Sequence, residues 1–147
     1  MIIEPYLKPG LPIPRPTTDG LDAAFWEGLR EERLLLQLCH DCQRWQWGPE
    51  WVCHHCHSFD VRYEETAAEG LIYSHERVWH PVHPALAEQG PYVVVLVELP
   101  HADGVRIVGN LIGDPHQPLT IGGAVHGVFE HHPDAEVPHT LLQWAVL

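Results

Sequence analysis

Basic residues are scarce in this chain of 147 residues. It carries 8 Lys+Arg against 20 Asp+Glu, which gives a formal net charge of −12, and Lys8 is the single lysine. Proteins that bind nucleic acids or anionic membrane surfaces need basic side chains to displace counterions from the phosphates. The charge balance therefore disfavours both kinds of partner.

Long apolar runs are missing as well. No stretch approaches the roughly 20 apolar residues of a membrane-spanning helix. The beginning, MIIEPYLKPG, lacks the basic stretch and apolar segment of a secretory signal. We expect no membrane span and a cytoplasmic location, where paired cysteines bind metal more often than they form disulfides.

Motifs of common catalytic sites are also absent. The sequence has no G-x-S-x-G, no phosphate-binding Gly-rich loop and no H-E-x-x-H. The segment HERVWHPVHP holds His75, His80 and His83, which could line the mouth of a pocket, although isolated strand histidines are more often exposed or satisfied in a core. The residues thus indicate no enzyme that is active alone, and they leave a role inside an enzyme complex open.

Cysteine is rare, but its placement is informative. The four cysteines, Cys39, Cys42, Cys53 and Cys56, form two Cys-x-x-Cys pairs ten residues apart. Each pair can place two thiolates on one face of a tight turn, and two such turns complete a tetrahedral S₄ site that suits zinc. We predict one structural zinc per chain. A rubredoxin-type iron site, or replacement of one cysteine by a neighbouring histidine, is the alternative.

The residue that follows each cysteine pair is unusual for such turns. Glycine is common there because the backbone may need a positive φ, whereas this chain has Gln43 and His57. We expect both residues to adopt the left-handed conformation at a small cost, or the turns to be tilted.

Three tryptophans lie between the cysteine pairs. The spacing of Trp45, Trp47 and Trp51 predicts two short strands around a turn at Gly48-Pro49. One interpretation is that the three rings pack onto a barrel or onto the N-terminal helix. The other is that they form a surface for another protein, since Trp is enriched among interface anchors.

The chain divides into three predicted parts, and the fold class is mainly β. Residues 1–36 hold a proline-rich arm and a helix over 18–32. Five prolines between residues 1 and 16 predict an extended, irregular arm. It is either a disordered terminus or, as its interspersed apolar residues, Ile2 among them, favour, a segment that packs against its own domain or a partner. The helix begins with Thr18 or Asp19 as its cap and carries one apolar stripe that favours burial.

The second part, residues 37–66, is the predicted zinc ribbon, with a strand over 33–38 leading into the first cysteine pair and another in VRYEE. The third part, residues 67–147, has five predicted strands at 71–80, 92–99, 105–113, 124–132 and 140–147. Five short strands suggest a closed or nearly closed barrel, because closure removes exposed edges.

The order of these segments resembles a known family over residues 18 to 147. The blocks FWEGLREERLLLQLC, GLIYSHERVWHP, PYVVVLVELP, VRIVGNLIG and IGGAVHGVFE follow one another around the four-cysteine ribbon. They are similar to acyl-CoA-associated domains of unknown function, which join a rubredoxin-like zinc ribbon to a five-stranded OB-fold barrel. The chain departs from the family in CHHCHS, where Pro and Gly are usual, and in WQWGPEW, where a Pro-Pro-Arg segment is usual.

The resemblance implies a non-catalytic partner of a thiolase-superfamily enzyme. The expected partner is a lipid-transfer-protein-type aldolase that cleaves β-hydroxyacyl-CoA side chains of steroid-like substrates, in a heterotetramer built around a partner dimer. The alternative is a subunit of a condensing thiolase that handles CoA or pantetheine intermediates. A rubredoxin-like electron carrier and a single-stranded nucleic-acid-binding OB-fold are less favoured.

The resemblance also carries over individual residues. It implies zinc ligation by the four cysteines and pocket or interface roles for Trp79, His80, Arg106 and Asn110. It further implies contact with the CoA of the partner's substrate.

Overall fold

The computed structural model describes residues 3–147, which form one α-helix and eight β-strands. Met1 and Ile2 of the predicted arm lie outside the described residues. The elements are α1 Ala23–Arg30, β1 Leu34–Cys39, β2 Trp45–Gln46, β3 Val61–Thr66, β4 Glu69–Val78, β5 Tyr92–Leu99, β6 Val105–Asn110, β7 Ala124–His132 and β8 His139–Val146, with 3₁₀ turns at Pro84–Leu86 and Pro100–Ala102. In residues 3–147 no helix is long and apolar enough to cross a membrane.

The first sheet is the ribbon, with the antiparallel strand order β2-β1-β3. The predicted strands before Cys39 and in VRYEE are confirmed as β1 and β3. The predicted strand pair around Gly48-Pro49 is wrong. Strand β2 has only two residues, and it pairs with β1, where Trp45 lies opposite Leu38. The strand that pairs with the tryptophan segment therefore precedes the first cysteine pair.

The second sheet is a nearly closed barrel, with the strand order β6-β5-β4-β7-β8. The prediction of five strands and near closure is confirmed. Leu111, just after β6, forms a parallel bridge to Trp144 of β8, and the N–H of Ile112 donates to the carbonyl of Trp144 at 2.8 Å. Alternate residues of β5, such as Val93 and Val95, are fully buried in the core.

The seam between β6 and β8 depends on a glycine. A Cβ atom at Gly109 would lie 2.7 Å from the carbonyl oxygen of Leu142 and 2.9 Å from Cδ1 of Trp144. We expect Gly109→Ala to lower the free energy of unfolding by about 1–3 kcal/mol, because the two strands must separate to relieve the overlap. Thermal unfolding checks this, with Val108→Ala on the exposed face of the same strand as the control. Equal stability of the two variants would contradict the close approach.

Helix α1 is shorter than predicted. It begins at Ala23 instead of residue 18, and the capping role predicted for Thr18 or Asp19 is wrong. Gly20 adopts φ 77, and the Asp22 carboxylate accepts from the N–H of Thr17 at 2.8 Å and from the indole of Trp26 at 3.1 Å. These side-chain bonds stabilise turns in place of a first helical turn.

The apolar stripe of α1 lies in the core, as predicted. Phe25, Gly28 and Leu29 are buried, and Phe25 and Leu29 share one hydrophobic cluster with residues of β1 and of the barrel. The helix therefore connects the ribbon to the barrel through packed side chains.

The proline-rich arm packs on its own barrel, one of the two outcomes that its apolar residues favoured. The N–H of Tyr6 donates to the Glu130 carboxylate at 3.1 Å, and its hydroxyl accepts from the N–H of Val93 at 3.2 Å. The N–H of Lys8 donates to the side chain of Gln89 at 2.9 Å. The arm is thus held at three points by residues distant in sequence.

Candidate metal centre and arm-covered cavity

Two turns with the same backbone geometry present the cysteines. In the first, the N–H of Gln43 donates to the carbonyl of Cys39 and the N–H of Cys39 donates to the carbonyl of Arg44, both at 2.9 Å. The second turn repeats both bonds around Cys53, at 3.1 and 2.8 Å. Gln43 and His57 have φ angles of 61 and 63, which confirms the predicted left-handed conformation.

The two turns bring all four sulfurs together. The Sγ atoms lie within 4.8 Å of one another, with 3.6 Å between Cys39 and Cys56 and between Cys42 and Cys53. Zinc–sulfur bonds of about 2.3 Å in a tetrahedron separate neighbouring sulfurs by about 3.8 Å. The four cysteines are therefore positioned to bind a metal ion, and their spacing fits tetrahedral thiolate coordination.

Backbone amides around Cys53 favour its ligand form. Burial raises the pKa of the Cys53 thiol, but the N–H groups of Cys56 and His55, at 3.5 and 3.3 Å from its sulfur, and the neighbouring thiols Cys42 and Cys39 together lower the pKa to about 6. Burial raises the pKa of Cys42 to about 12. The donors at Cys53 supply hydrogen bonds of the kind that stabilise a metal-bound thiolate.

The neighbouring histidines do not join this cluster. Among residues 3–147, the group that could hold an ion consists of the four cysteines alone. His40 uses its Nε2 atom in a 2.9 Å hydrogen bond to the Glu64 carboxylate, and His54 and His55 are exposed. The geometry thus places the histidines outside the sulfur tetrahedron.

Two buried glutamines organise the loop between the cysteine pairs, and the sequence analysis did not identify them. Gln46 donates to the side-chain oxygen of Gln37 at 2.9 Å and to the carbonyl of Val52, while its own oxygen accepts from the N–H of His54 at 2.8 Å. Gln37 in turn donates to the carbonyl of Glu50 at 2.9 Å. Polar residues inside two strands were the available signal, but their partners are set by the tertiary fold.

Gln46→Leu should destabilise the ribbon. The change removes one hydrogen-bond partner from the Gln37 side-chain oxygen, the carbonyl of Val52 and the N–H of His54. A polar group left buried and unsatisfied costs about 1–3 kcal/mol. We expect a lower melting temperature and faster amide hydrogen exchange at His54. The control is Arg44→Leu, because Arg44 is exposed and uses only its carbonyl in the turn. Wild-type stability of Gln46→Leu would show that water replaces the glutamine bonds.

The three ribbon tryptophans have different environments. Trp45 and Trp47 are partly buried against the hydrophobic core, and the Trp47 ring lies 4.5 Å from that of Phe25. Asp103, in the barrel, accepts from the N–H of Trp45 at 2.8 Å. Trp51 is 59% exposed. Two rings therefore join the ribbon to the helix and barrel, and Trp51 remains on the surface.

The four barrel residues singled out by the resemblance do not form one site. Trp79 is 54% exposed and His80 is exposed. The Arg106 guanidinium lies 3.6 Å from the ring centre of Tyr73 and pairs with Glu98 at 3.1 Å. Asn110, at the other end of β6, pairs with Val94 in the strand register. Arg106 and Asn110 are therefore separated by the length of the strand.

Asn110 instead lines a cavity of about 710 Å³ between the arm and the β7–β8 hairpin. The hairpin contributes polar residues that the sequence analysis missed: Glu130, His131, His132, His139 and Gln143. In the register of the hairpin, His132 lies opposite His139 and Glu130 lies opposite Leu141. These alternate positions share one face of the sheet, and the arm covers that face.

The carboxylate of Glu130 is the centre of a buried hydrogen-bond network. Its side chain is 3% exposed and accepts from three donors: the N–H of Tyr6 at 3.1 Å, the amide of Gln143 at 3.1 Å and Nε2 of His132 at 2.7 Å. Gln143 also accepts from the N–H of Asn110 at 2.7 Å. The network therefore connects the arm, the hairpin and the end of β6.

Comparison with known proteins identifies both parts of the chain. Residues 26–62 match the family model of the ChsH2 rubredoxin-like zinc ribbon domain, and residues 63–130 match that of the ChsH2 C-terminal OB-fold domain. A solved chain of an Ltp2-ChsH2(DUF35) aldolase is 36% identical, with a TM-score of 0.74, and the match covers 90% of this chain and 98% of that one. A DUF35-family protein of unknown function from Sulfolobus solfataricus is 17% identical, with a TM-score of 0.58 over 85% of this chain and 84% of that one, and shows the same fold.

Two curated relatives are larger proteins. A probable enoyl-CoA hydratase alpha subunit from Thermomonospora curvata is 41% identical over 116 residues, which is 78% of this chain and 35% of that protein. The 3-oxo-4,17-pregnadiene-20-carboxyl-CoA hydratase alpha subunit from Mycobacterium tuberculosis is 28% identical over 120 residues, or 82% of this chain and 37% of that protein. The chain thus spans little more than a third of the length of these relatives.

Proposed function

Because the chain belongs to the ChsH2 (DUF35) family of zinc-ribbon and OB-fold proteins, we propose that it is a non-catalytic accessory subunit of a thiolase-superfamily acyl-CoA enzyme. The partner is an Ltp2-like aldolase that cleaves the side chain of a β-hydroxyacyl-CoA. The observation that carries this proposal is the similarity to the ChsH2 chain of the solved aldolase, which extends over nearly all of that chain.

We assign structural zinc to the cysteine cluster. Catalytic zinc sites keep one coordination position open for water or substrate. Four thiolates fill a tetrahedral sphere, which supports a role in folding and leaves the carbon–carbon bond chemistry to the partner's residues. Zinc bound here supplies folding free energy to the ribbon. Thiolate ligands need reduced cysteines, which supports the expected cytoplasmic location.

Exposed aromatic residues support a partner interface. Trp51 on the ribbon and Trp79 at the end of β4 are 59% and 54% exposed, and Phe59 is 83% exposed. Buried interface centres are rich in Trp and other aromatics. We propose that Trp51, Trp79 and the neighbouring His80 contact the aldolase. Arg106 lies at the end of the barrel strands opposite Trp79. A dimer of the aldolase with one such chain on each subunit gives the proposed heterotetramer.

The substrate class is proposed from the relatives. The Mycobacterium tuberculosis protein is named for a steroid-derived carboxyl-CoA, which favours a steroid-like acyl-CoA for the complex. The CoA of that substrate is bound by the partner, in contact with this chain. A condensing thiolase is the alternative partner within the same superfamily.

A hydratase is a second candidate partner. The similarity to the Thermomonospora curvata hydratase alpha subunit extends over 116 residues at 41% identity. The match covers 35% of that protein, so about two thirds of its length lies outside the match. In this alternative, the chain is the zinc-ribbon and OB-fold subunit of a hydratase complex.

Co-expression tests the proposal. We expect the chain and an Ltp2-like aldolase to elute from size-exclusion chromatography as one species, with the mass of two copies of each by light scattering. Trp51→Ala and Trp79→Ala should weaken this association, because truncation of an interface anchor costs about 2 kcal/mol or more. The control is Val146→Ala, which truncates an exposed aliphatic side chain at the end of β8, a strand that contributes no residue to the proposed interface. Separate elution of the two wild-type chains would contradict the proposal, and assembly with a hydratase instead would favour the second candidate.

A further inference from the structure

The cavity between the arm and the β7–β8 hairpin has two walls of different chemistry. The arm contributes prolines and aliphatic side chains such as Leu7, Leu11 and Ile13, and the hairpin contributes mainly polar side chains. Its volume of about 710 Å³ falls in the range of small-molecule sites, roughly 300–1,000 Å³. An occupant that suits both walls is mainly apolar and has a polar group directed at the hairpin.

His139 offers a hydrogen-bond acceptor on the hairpin wall. The residue is 9% exposed, and its Nδ1 atom lies 2.7 Å from the carbonyl oxygen of Val137. A carbonyl oxygen can only accept, so Nδ1 carries the proton and Nε2 of the neutral ring carries a lone pair. Nε2 has no hydrogen-bond partner among residues 3–147, although the ring lines the cavity.

His132 offers a second acceptor of the same kind. Nε2 of His132 lies 2.7 Å from the Glu130 carboxylate and donates to it, so in the neutral ring Nδ1 is the acceptor. The His132 and His139 rings are stacked, with centres 4.8 Å apart and planes 8° from parallel.

The charges around the cavity disfavour an anion. Glu130 and Asp134 line the hairpin wall, and the whole chain has a formal net charge of −12. Lys8, from the arm, also lines the cavity and donates from its ammonium group to the carbonyl of Glu88 at 3.0 Å, and its positive charge disfavours a cation. The hairpin wall therefore presents lone pairs, while the cavity as a whole carries groups of both signs of charge, so an uncharged hydrogen-bond donor is the polar group that suits it.

We propose that this cavity is a binding site for an uncharged, largely apolar alcohol. The hydrocarbon body lies against Leu7, Leu11 and Ile13 of the arm. The hydroxyl donates to Nε2 of His139 or to Nδ1 of His132. This site lies outside the cysteine cluster, and its occupant carries no phosphate, so the proposal is independent of the assignment as an aldolase subunit.

Three ligands that share the same hydrocarbon cage and differ only in their polar group test the ligand class. The protein used is the wild-type, metal-loaded chain. The probes are 1-adamantanol, 1-adamantanecarboxylate and 1-adamantylammonium, titrated into ¹⁵N-labelled protein at pH 7.5 and followed by backbone amide shifts. We expect the alcohol to give saturable shifts at Asn110, Leu141 and the arm, with a Kd about tenfold or more below that of the carboxylate. A carboxylate or an ammonium that binds more tightly than the alcohol would overturn the proposal, as would the absence of alcohol-induced shifts at these residues.

Variants of His139 test the position of the hydroxyl. His139→Phe retains a ring that can stack on His132 but removes the acceptor, and we expect about fivefold weaker alcohol binding. The control is His101→Phe, an exposed histidine outside the cavity. His132→Phe provides the same test if His139→Phe does not fold. Unchanged alcohol affinity in both folded variants would overturn the assignment, and unchanged affinity in one alone would place the hydroxyl on the other histidine.

Discussion

Removal of the bound metal is expected to unfold the ribbon. Structural zinc in small domains contributes roughly 10–16 kcal/mol of binding free energy that is also folding free energy. With the four sulfurs within 4.8 Å of one another, a chelator leaves four thiols crowded in a partly buried site. Chelation should therefore abolish protection of the β1–β3 sheet from hydrogen exchange. Elemental analysis before chelation should give one zinc per chain.

The unfolding should extend beyond the cysteine turns. The Trp47 ring lies 4.5 Å from Phe25 of α1, and Asp103 of the barrel accepts from the N–H of Trp45. Loss of the ribbon therefore exposes part of the shared core and lowers the melting temperature of the barrel. Cys53→Ser should reproduce the effect of chelation, whereas His40→Ala should retain one zinc per chain. Stoichiometric zinc in Cys53→Ser, or its loss in His40→Ala, would contradict a site made of four cysteines.

Trp144→Ala is expected to be among the most destabilising single substitutions in the barrel. Trp144 is fully buried at the seam between β6 and β8 and is the largest of the fully buried side chains. Truncation of a buried Trp to Ala costs about 3–5 kcal/mol, through lost apolar burial and the cavity that remains. In chemical denaturation, the midpoint should shift to a lower denaturant concentration by an amount that corresponds to this loss of free energy.

Two further substitutions make the test specific. Trp51→Ala removes the same side chain from an exposed position and should change stability by no more than about 0.5 kcal/mol. Trp144→Phe keeps an aromatic ring and removes an indole N–H that has no partner among the described residues, so it should cost less than the change to Ala. Similar losses for Trp144→Ala and Trp51→Ala would show that the barrel seam does not depend on the buried ring.

Local signals in the sequence were sufficient for the barrel and the cysteine turns. The run of β-branched residues in YVVVLVEL predicted the strand β5, and the two Cys-x-x-Cys pairs predicted convergent sulfurs. Both signals act over a few residues, because strand alternation and turn geometry are set by the local backbone. The positive φ angles of Gln43 and His57 followed from the same reasoning.

Features made by distant segments were not predicted. The cavity and its network need the bond between Tyr6 and Glu130, which are 124 residues apart, and no periodic pattern encodes that contact. The start of α1 was predicted too early in the chain. The Asp22 carboxylate accepts hydrogen bonds from the N–H of Thr17 and the indole of Trp26 in place of capping the helix. Side-chain hydrogen bonds of this kind compete with helix formation, and the sequence alone does not show whether the turn or the helix is more stable.

The rate of carbon–carbon bond cleavage tests the accessory-subunit account most directly. The measurement compares an Ltp2-like aldolase alone, this chain alone, and the co-purified complex on one steroid-like β-hydroxyacyl-CoA. The account predicts no turnover by the chain alone and about tenfold or more faster cleavage by the complex than by the aldolase alone. Full activity of the aldolase without this chain, or cleavage by this chain without the aldolase, would contradict it.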